Sequence, residues 1–487
     1  MSPAAARRRQ DQCMTRRSTA YPPSSRVGSA PSGVGRGAPR LHGLLARGPL
    51  RVEMGGTHGM NITPAPEETS GLSLSVHRVA SVALGDATTL DAGRLTVSEA
   101  EARAVLADPA LASVNVSWAS PGDPVRIVKV LDAVEPRTKG PGGGGIFPGF
   151  VGPARPQGRG TTHVLQGASV IAAGYLPRAQ EAVVDMSGPG APLTPFGSTH
   201  NLVVEFTPAA GASWESVYEA LRKGTLQLAA RLAEAALDAE ADEVVALPGL
   251  PKAGDGGLPR VGAITNLQTQ GSFKEVFVYG RSYPPAALPT LIDPNDLDDG
   301  AVVSGQLGHP SLKNPTWLFQ NHPVVAALRA RHGTDLLCAG VVLSPEPVDM
   351  ANKELVSAHA ARLCQAAGWD AVIVTKEGGG NADADMALKM DALEELGITT
   401  VALYAEMAGP DGTAPSIVVP PTKATAMVST GNYDERLVLP AVERALGGDR
   451  VDVAGLPADA EMELPTAVVY CSLSPLGWGR LTCREAV

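Results

Sequence analysis

The sequence predicts an α/β protein with a C-terminal doubly wound, mostly parallel sheet and an N-terminal mixed α/β domain. Three observations favour this fold class. The 487 residues exceed the roughly 250 to 300 at which a single hydrophobic core stops growing. Hydrophobic residues make up 44% of the chain and charged residues 18%, which is typical of globular α/β proteins. Strand-like and helical periods also alternate along the second half.

Residues 1–70 precede the first globular pattern and are predicted to form a disordered leader. They are rich in Arg, Ser, Gly and Pro and show neither helical nor strand periodicity. A leader rich in arginine and poor in acidic residues is typical of a transit peptide, but the apolar segment that an export signal requires is missing. The alternative is that Met54 or Met60 is the true start and that the preceding residues are not part of the protein.

Residues 71–295 are predicted to form the N-terminal mixed α/β domain. The expected elements are strands at residues 125–130 and 202–206 and an amphipathic helix at residues 213–237. A long Gly/Pro-rich segment, residues 134–167, lies between the two strands. Such a segment is either a lid or docking loop, with residues 142–145, Phe147 and Gly149 as candidates, or a flexible surface insertion.

Residues 296–450 are predicted to form the doubly wound domain, and residues 451–487 a C-terminal tail. The expected elements are a strand at 301–303, a helix at 324–331, a strand at 336–343, a helix at 353–367, a strand at 371–375, a helix at 383–396, and strands at 399–404 and 426–428. Strands and helices alternating at this spacing imply right-handed crossovers between parallel strands. Ligands of such sheets bind outside the carboxyl ends of the strands.

Charge and composition exclude several functional classes. The net charge is −10 and the basic residues crowd into the first 51 positions, which argues against nucleic acid as a partner. No stretch approaches the roughly 18 unbroken apolar residues of a membrane span. The five cysteines are widely spaced without a C-x-x-C pair, so neither a disulfide framework nor a metal site is indicated. A reducing cytoplasm is the simplest setting.

Polar residues follow three of the strands predicted in the second half. The loops carry Glu377 and Asn381, then Glu406 and Asp411, and finally Asn432. Because the carboxyl ends of parallel strands meet at one edge, we expect these five residues to surround one crevice and bind substrate. The alternative is that the carboxylates are ordinary solvated loop acids. An independent hydrolase is not indicated, since the chain has no G-x-S-x-G elbow.

Several short motifs occur in a fixed order from Leu72 onward. They are Gly145-Ile146-Phe147-Pro148-Gly149, Thr162-His163-Val164-Leu165, Asp185-Met186-Ser187-Gly188, Thr194-Pro195-Phe196, Leu267-Gln268-Thr269-Gln270-Gly271, Asp299-Gly300-Ala301-Val302-Val303-Ser304-Gly305, Lys313-Asn314, Arg331-His332-Gly333 and Ser429-Thr430-Gly431-Asn432. In this order the motifs resemble the pyruvoyl-precursor subunit of glycine, sarcosine and betaine reductase component B. They are more distantly similar to the D-proline reductase precursor.

The resemblance implies an oxidoreductase subunit that works within a complex. In that family the precursor is cut at an Asn-Cys bond soon after a Ser-Gly pair, and the new N-terminal cysteine becomes a pyruvoyl group. That carbonyl forms an imine with an amino substrate, and a thiolate or selenolate of a partner attacks the α-carbon. The implied partners are a second component B subunit with a reactive Cys or selenocysteine, a thioredoxin-like reductant acting indirectly, a small amine or betaine-like substrate, and an oligomeric assembly.

The stretch that corresponds to the family's processing site reads Ser304-Gly305-Gln306-Leu307 and is degenerate. Leu307 stands where the family has its cysteine, and a hydrocarbon side chain cannot attack a peptide carbonyl. We therefore expect neither cleavage at Gln306–Leu307 nor a pyruvoyl cofactor. Ser304 could serve instead by an N-to-O acyl shift, but it would cut the chain three residues early.

Two functions are consistent with these observations. In the first, the chain is an uncleaved subunit that shapes the substrate pocket while a thiol-bearing partner attacks a C–N bond that needs no imine. In the second, it is a non-catalytic scaffold or regulatory relative that has the fold without the site. The polar loops at the predicted strand ends favour the first function.

Overall fold

The computed structural model describes residues 71–252, 257–269, 275–479 and 481–483 of the chain. These residues belong to one compact unit, and its class is the mixed α/β one that the sequence predicts. The predicted leader, residues 1–70, lies outside the described residues. No helix in the described part of the chain is long and apolar enough to cross a membrane.

The described α-helices follow the predicted periodicity in the second half of the chain. They are Glu99–Val105 (α1), Trp214–Ala233 (α2), Pro294–Asp298 (α3), Thr316–Gln320 (α4), Pro323–Arg331 (α5), Met350–Ala366 (α6) and Asn381–Glu395 (α7). The long helix α2 begins where the Ser213 hydroxyl accepts a hydrogen bond from the Ser216 amide, as an N-cap does. It buries the stripe that contains Leu221, Leu228 and Leu232, which confirms the predicted amphipathic helix.

The strands range from two to nine residues in length. They are Leu72–Arg78 (β1), Ser81–Gly85 (β2), Thr89–Asp91 (β3), Arg94–Ser98 (β4), Leu111–Ala119 (β5), Val125–Val128 (β6), Val130–Val134 (β7), Arg137–Lys139 (β8), Gly160–Gln166 (β9), Ala168–Ala173 (β10), Val183–Asp185 (β11), His200–Pro208 (β12), Glu243–Leu247 (β13), Arg260–Leu267 (β14), Val276–Val278 (β15), Arg281–Tyr283 (β16), Thr290–Ile292 (β17), Val302–Val303 (β18), Leu337–Pro345 (β19), Ala371–Lys376 (β20), Thr399–Glu406 (β21), Ala426–Asn432 (β22), Arg436–Leu439 (β23), Arg444–Leu446 (β24), Arg450–Val451 (β25), Leu456–Pro457 (β26), Met462–Pro465 (β27) and Thr482–Cys483 (β28).

The largest sheet has seven strands in the order β17-β19-β14-β20-β21-β22-β28. The five middle strands are parallel to one another, and the edge strands β17 and β28 are antiparallel to their neighbours. Side chains alternate between the two faces, so that Ala263 and Leu343 pack with α5 while Ile264 and Val342 pack with α6 and α7. Helices therefore cover both faces of the parallel strands.

Strand β14, which lies between β19 and β20 in this sheet, was not predicted from the sequence. We predicted that the sheet begins with a strand at residues 301–303, and this prediction is wrong. Those residues form the short β18, which pairs antiparallel with β15 in a separate sheet. Gly300, with φ +76, and Gly305, which has no room for a Cβ against the Glu275 carbonyl, confine the strand to two residues. The run at 260–267 has no such interruption and forms the strand between β19 and β20.

A second correction concerns the strand predicted at residues 125–130. Lys129 adopts a positive φ of 53° and divides the run into β6 and β7, which join different sheets. The strand predicted at 202–206 is confirmed as β12. In the Gly/Pro-rich segment, Phe147 is fully buried and its amide donates to the Asp299 carbonyl over 2.9 Å, so that part of the segment packs into the core.

After β22, the chain returns to the first half of the molecule. Strand β24 pairs parallel with β6, and the Tyr470 amide donates to the Val183 carbonyl over 2.9 Å. A buried ion pair between Arg126 and Asp185, 2.6 Å long, lies under this return. The same guanidinium donates to the carbonyls of Ala458 and Pro440. These contacts hold the two ends of the described chain around the central sheet.

Candidate functional site

The order of the parallel strands defines where a ligand crevice should lie. From β14 the chain moves to β19 on one side, then crosses to β20 on the other and continues outward to β21 and β22. This is the doubly wound order 2-1-3-4-5, whose ligands bind at the carboxyl ends of the strands where the order reverses. That point is the end of β14, and its flanking strands end beside it: the amides of Glu346 and Glu377 donate to the carbonyls of Leu267 and Asn266 over 3.1 and 3.2 Å.

The degenerate processing segment, Ser304–Leu307, reaches this same point. The side-chain amide of Gln306 donates to the Gln268 side-chain oxygen just beyond the end of β14. The amide of Gln268 in turn donates to the Glu377 carboxylate over 2.8 Å. Gln306 and Glu377 are fully buried. Glu377, which the sequence predicts to lie in a substrate crevice, is thus linked to the processing segment through one residue, Gln268.

A buried lysine contacts the backbone of this segment. The ammonium group of Lys313 donates to the carbonyl oxygen of Gln306, the oxygen of the peptide bond that joins Gln306 to Leu307. Burial lowers the pKa of Lys313, and the carboxylates of Asp132 and Glu377 oppose that shift. Asp132 accepts hydrogen bonds from the Thr316 hydroxyl, at 2.6 Å, and from the Thr316 amide, at 3.1 Å. We call Lys313, Asp132, Glu377 and the Gln306 carbonyl the segment cluster.

Two acids beside the end of β14 have strongly perturbed protonation. Burial raises the pKa of Glu377 to about 7. Burial, followed by the charges of Asp385 and Glu377, raises the pKa of Glu346 well above its usual value. Among the described residues, neither carboxylate oxygen of Glu346 nor either polar atom of the Asn266 side chain has a hydrogen-bond partner. Buried polar groups without partners are unusual, so Glu346 and Asn266 are candidates for binding a ligand or water.

Four residues of this site were not predicted from the sequence: Asn266, Gln268, Lys313 and Glu346. Lys313 was part of a recognised motif but was given no role. A usable signal existed for Asn266 and Glu346, since each stands at or just beyond the end of a continuous apolar run. Without β14 assigned to the sheet, however, the pattern did not show that these two ends are neighbours.

A second group of buried charges lies between α6 and α7 near the same edge. Lys353 pairs with Asp385, and the ammonium group of Lys389 is 3.9 Å from the same carboxylate. Burial lowers the pKa of Lys389 to about 8. We call Lys353, Asp385, Lys389 and the adjacent Glu346 the helix cluster. Its ion pairs link the two helices that cover one face of the sheet.

The other predicted crevice residues are not all brought to the segment. Glu406 and Asn432 lie opposite each other in the register of β21 and β22, and Glu406 is buried. The Asn432 side chain binds the loop after β21, accepting from the Ala408 amide at 3.3 Å and donating to the Gly409 carbonyl at 2.8 Å.

The remaining two predicted site residues are exposed. Asn381 is the first residue of α7. Asp411 accepts from the amide and the hydroxyl of Thr413 at 3.2 and 2.9 Å, so it closes a local turn. In this arrangement Glu377 contacts the residues around the processing segment, whereas Asn381 and Asp411 lie at the surface.

A cavity of about 590 Å³ lies next to the processing segment. Gln180 and Pro310 line it, and Gln180 also holds the segment, because its amide donates to the Leu307 carbonyl over 2.8 Å. Leu131 and Leu176 line the cavity and pack in the same apolar cluster as Leu307. The volume falls within the range of small-molecule sites, about 300–1,000 Å³.

The walls of the cavity are mostly apolar, and its charges are paired. Lys129 lies 3.1 Å from Glu181 and 2.7 Å from Asp452, and Arg436 lies 3.0 Å from Glu463. Two tyrosines, Tyr175 and Tyr433, also line it, and Tyr175 is 59% exposed. In the described part of the chain, no group of three or more His, Cys, Asp or Glu side chains is arranged to hold a metal ion.

Comparison with known proteins identifies the family. The model of the glycine/sarcosine/betaine reductase component B subunits matches residues 71–484. The chain is 37% identical to "Glycine reductase complex component B subunits alpha and beta" of Peptoclostridium acidaminophilum over 76% of this chain and 89% of the relative. In the same organism, the sarcosine reductase complex component B subunit alpha is 33% identical over 83% of this chain and 97% of the relative. The betaine reductase complex component B subunit alpha is 30% identical over 85% and 99%.

No solved structure matches the chain. The family match spans the large sheet, the processing segment and the first half of the described molecule alike. The chain belongs to the family of glycine/sarcosine/betaine reductase component B subunits.

Proposed function

We propose that this chain is an uncleaved subunit of a reductase complex that breaks the C–N bond of a small α-substituted amine or betaine. The subunit shapes the substrate site, and a partner subunit with a reactive Cys or selenocysteine supplies the nucleophile. The carbon group that is then bound to the partner's sulfur or selenium passes to a carrier protein, and a thioredoxin-like reductant acts only indirectly, by reducing the oxidised thiol or selenol that this transfer leaves. The observation that carries the proposal is the cavity of about 590 Å³ beside the processing segment, which is linked to it by Gln180, a lining residue whose amide donates to the Leu307 carbonyl.

The residues of the segment do not fit a pyruvoyl group. The group forms from a side chain with a nucleophilic sulfur or oxygen, and Leu307 carries neither. Its isobutyl group is only 6% exposed and packs with Leu131, Leu176 and Leu221, so no solvent nucleophile takes its place. Ser304 has a buried hydroxyl without a partner among the described residues, and it stays the one alternative start of an acyl shift.

A site without a pyruvoyl group restricts the reaction to substrates that need no imine. The partner's thiolate or selenolate attacks the α-carbon, the C–N bond breaks, and the amine leaves with its electron pair. A quaternary nitrogen needs no further activation to leave in this way. Two tyrosine rings and apolar walls suit such a cation with a small organic body.

The proposed setting is a reducing cytoplasm, in an oligomeric complex with the partner subunit. Within the described residues Cys338, Cys364 and Cys471 are buried free thiols, which agrees with a reducing compartment.

The test is amine release by the complex purified from its own cells through a tag on this chain. The complex is incubated with dithiothreitol and with glycine, sarcosine or betaine, and ammonia, methylamine or trimethylamine is measured. Ala179→Trp fills the cavity and should abolish release while the complex stays assembled. Ala100→Trp, on the exposed face of α1, is the control and should release amine as the wild type does.

One observation favours the scaffold instead. The cavity's charged side chains form three ion pairs with one another, Lys129 with Glu181 and with Asp452, and Arg436 with Glu463, which leaves little charge for a substrate. An assembled complex that releases no amine from the three substrates would contradict catalysis and support the non-catalytic scaffold.

A further inference from the structure

We infer that Lys313 is the group that would stabilise the oxyanion if the Gln306–Leu307 peptide bond were opened, so that residue 307 alone keeps this site from cleaving itself. This inference rests on the proposed identification of residues 304–307 as a degenerate processing site. It assigns a catalytic role to a residue of the Lys313-Asn314 motif that the proposed function leaves unused.

The contact of Lys313 is with the reacting atom itself. Opening a peptide bond places negative charge on the carbonyl oxygen, and the ammonium group of Lys313 already donates to that oxygen of Gln306. Lys313 is 1% exposed, so water does not screen its charge. A preorganised cation at a developing oxyanion is usually the largest single contribution to acyl transfer.

The carboxylates around this lysine favour its charged form and oppose the lowering of its pKa by burial. Asp132 and Glu377 both act on it, and the hydroxyl and amide of Thr316 hold Asp132 in place. The same Thr316 hydroxyl accepts from the Ser304 amide over 3.0 Å, which joins the lysine's counter-ion to the beginning of the segment. The thiol of Cys471 also faces the ammonium group.

The peptide bond is held so that its oxygen points at the lysine. The Gln306 side chain binds Gln268 on one side. On the other, Gln180 donates from its amide to the Leu307 carbonyl at 2.8 Å and accepts from the His309 amide. His309 has a positive φ of 46°, which reverses the direction of the chain. Lys313 therefore lies beside the carbonyl of Gln306, seven residues before it in the chain.

A nucleophile at residue 307 would complete the reaction. With a cysteine there, the sulfur attacks the Gln306 carbonyl carbon, a C–S bond forms and the C–N bond breaks. The proton that the thiol gives up goes to the departing nitrogen, and no electrons are exchanged with another molecule. The product is a thioester between residues 306 and 307, and Lys313 lies on the oxygen that carries the transient charge.

The experiment compares Leu307→Cys alone with Leu307→Cys combined with Lys313→Met or Lys313→Arg. Hydroxylamine converts a thioester at this position to a Gln306 hydroxamate and a second chain that begins with the new cysteine. Intact mass under denaturing conditions detects both pieces. The chain has no Asn-Gly bond, the usual background site of hydroxylamine cleavage.

We expect hydroxylamine to cleave Leu307→Cys into two fragments. Adding Lys313→Met should lower the rate of this cleavage about 10²- to 10³-fold, the range that loss of one oxyanion-hole donor causes. Lys313→Arg keeps the positive charge, so we expect it to retain most of the cleavage rate of Leu307→Cys alone. If Lys313 had only a structural role, the cleavage rate would not depend on the charge at this position. If the methionine variant loses its thermal transition, Lys313→Gln replaces it, because its amide still donates but carries no charge.

Two results would overturn the inference. One is an equal rate in Leu307→Cys with and without Lys313. The other is a folded Leu307→Cys chain that stays whole after prolonged hydroxylamine. Neither result bears on amine release by the wild-type complex, so a failure here and a failure of the proposed function are told apart.

Discussion

Two buried lysine clusters at one edge of the same sheet differ in what their lysines contact. In the helix cluster, Lys353 pairs with Asp385, and Lys389 lies 3.9 Å from that carboxylate. In the segment cluster, Lys313 donates to a backbone carbonyl, and its carboxylates act from further away. A lysine paired with a side chain joins two helices, whereas a lysine on a peptide oxygen polarises a bond. The first arrangement stabilises the fold, and the second is the one for which we infer a chemical role.

The largest expected effect is in the helix cluster. Asp385→Ala leaves Lys353 and Lys389 buried without their shared carboxylate, and breaking a buried ion pair costs about 3–5 kcal/mol. The free energy of unfolding from urea titration at pH 7 measures the loss. Asp335→Ala removes an exposed partner of Arg331 and is the matched control, with little change expected. Similar losses in both variants would mean that burial does not determine the strength of these pairs.

A smaller loss is expected in the segment cluster. Lys313→Met keeps the volume of the side chain and leaves Asp132 and Glu377, which can take up protons and become neutral. The Gln306 carbonyl loses its donor, so we expect a loss of about 1–3 kcal/mol in the same titration. If Lys313→Met is as costly as Asp385→Ala, the distinction between a structural and a chemical lysine fails.

The pH dependence of stability tests the segment cluster through Glu377. Burial raises the pKa of Glu377 from its ordinary 4.5 to about 7, so the folded chain holds this proton more tightly than the unfolded chain does. The resulting stabilisation is complete below about pH 4.5 and is lost as the pH rises through about 7. Glu377→Gln should therefore flatten the fall in unfolding free energy across that window.

Asp299→Asn provides the comparison for this pH experiment. Burial raises the pKa of Asp299 to about 6, and Asp299 is paired with Lys139 rather than Lys313. Asp299→Asn should therefore change the unfolding free energy only in the lower part of this pH range. If the unfolding free energy of Glu377→Gln falls with pH as steeply as that of the wild type, groups other than Glu377 cause the pH dependence.

The last prediction is that the wild-type chain shows neither cleavage nor a ketone. The purified wild-type chain should have the mass of one intact polypeptide and should not react with a hydrazine probe for ketones, because Leu307 has no nucleophilic atom. Two fragments that meet near Ser304–Leu307, the second with a blocked and carbonyl-reactive N-terminus, would refute this expectation and identify Ser304 as the source of a pyruvoyl group.

The sequence was sufficient for the elements whose period is long and regular. The strands β19 to β22 and the helices α5 to α7 lie within a few residues of their predicted positions, because continuous apolar runs alternate with amphipathic ones there. Membership of the family was also recognisable from ordered motifs, and the family match over residues 71–484 confirms it.

What the sequence could not show is which distant segments become neighbours. Strand β14 enters the sheet from before residue 296, and nothing in a local period reveals that insertion. The contact between Lys313 and the Gln306 carbonyl depends on the left-handed turn at His309, a conformation that histidine adopts infrequently. The same limit applies to Asp411, since a loop acid that closes its own turn has the same residue type as one that binds a ligand.

The position of β14 has a consequence for any cut at residue 306. The piece before the cut would contain β14, the piece after it would contain β19 and β20, and β14 is hydrogen-bonded to both. Strand β24 likewise returns from the second piece to pair with β6 in the first. The fragments would be interleaved rather than joined end to end, so a nicked molecule would migrate as a single particle until a denaturant took its sheet apart.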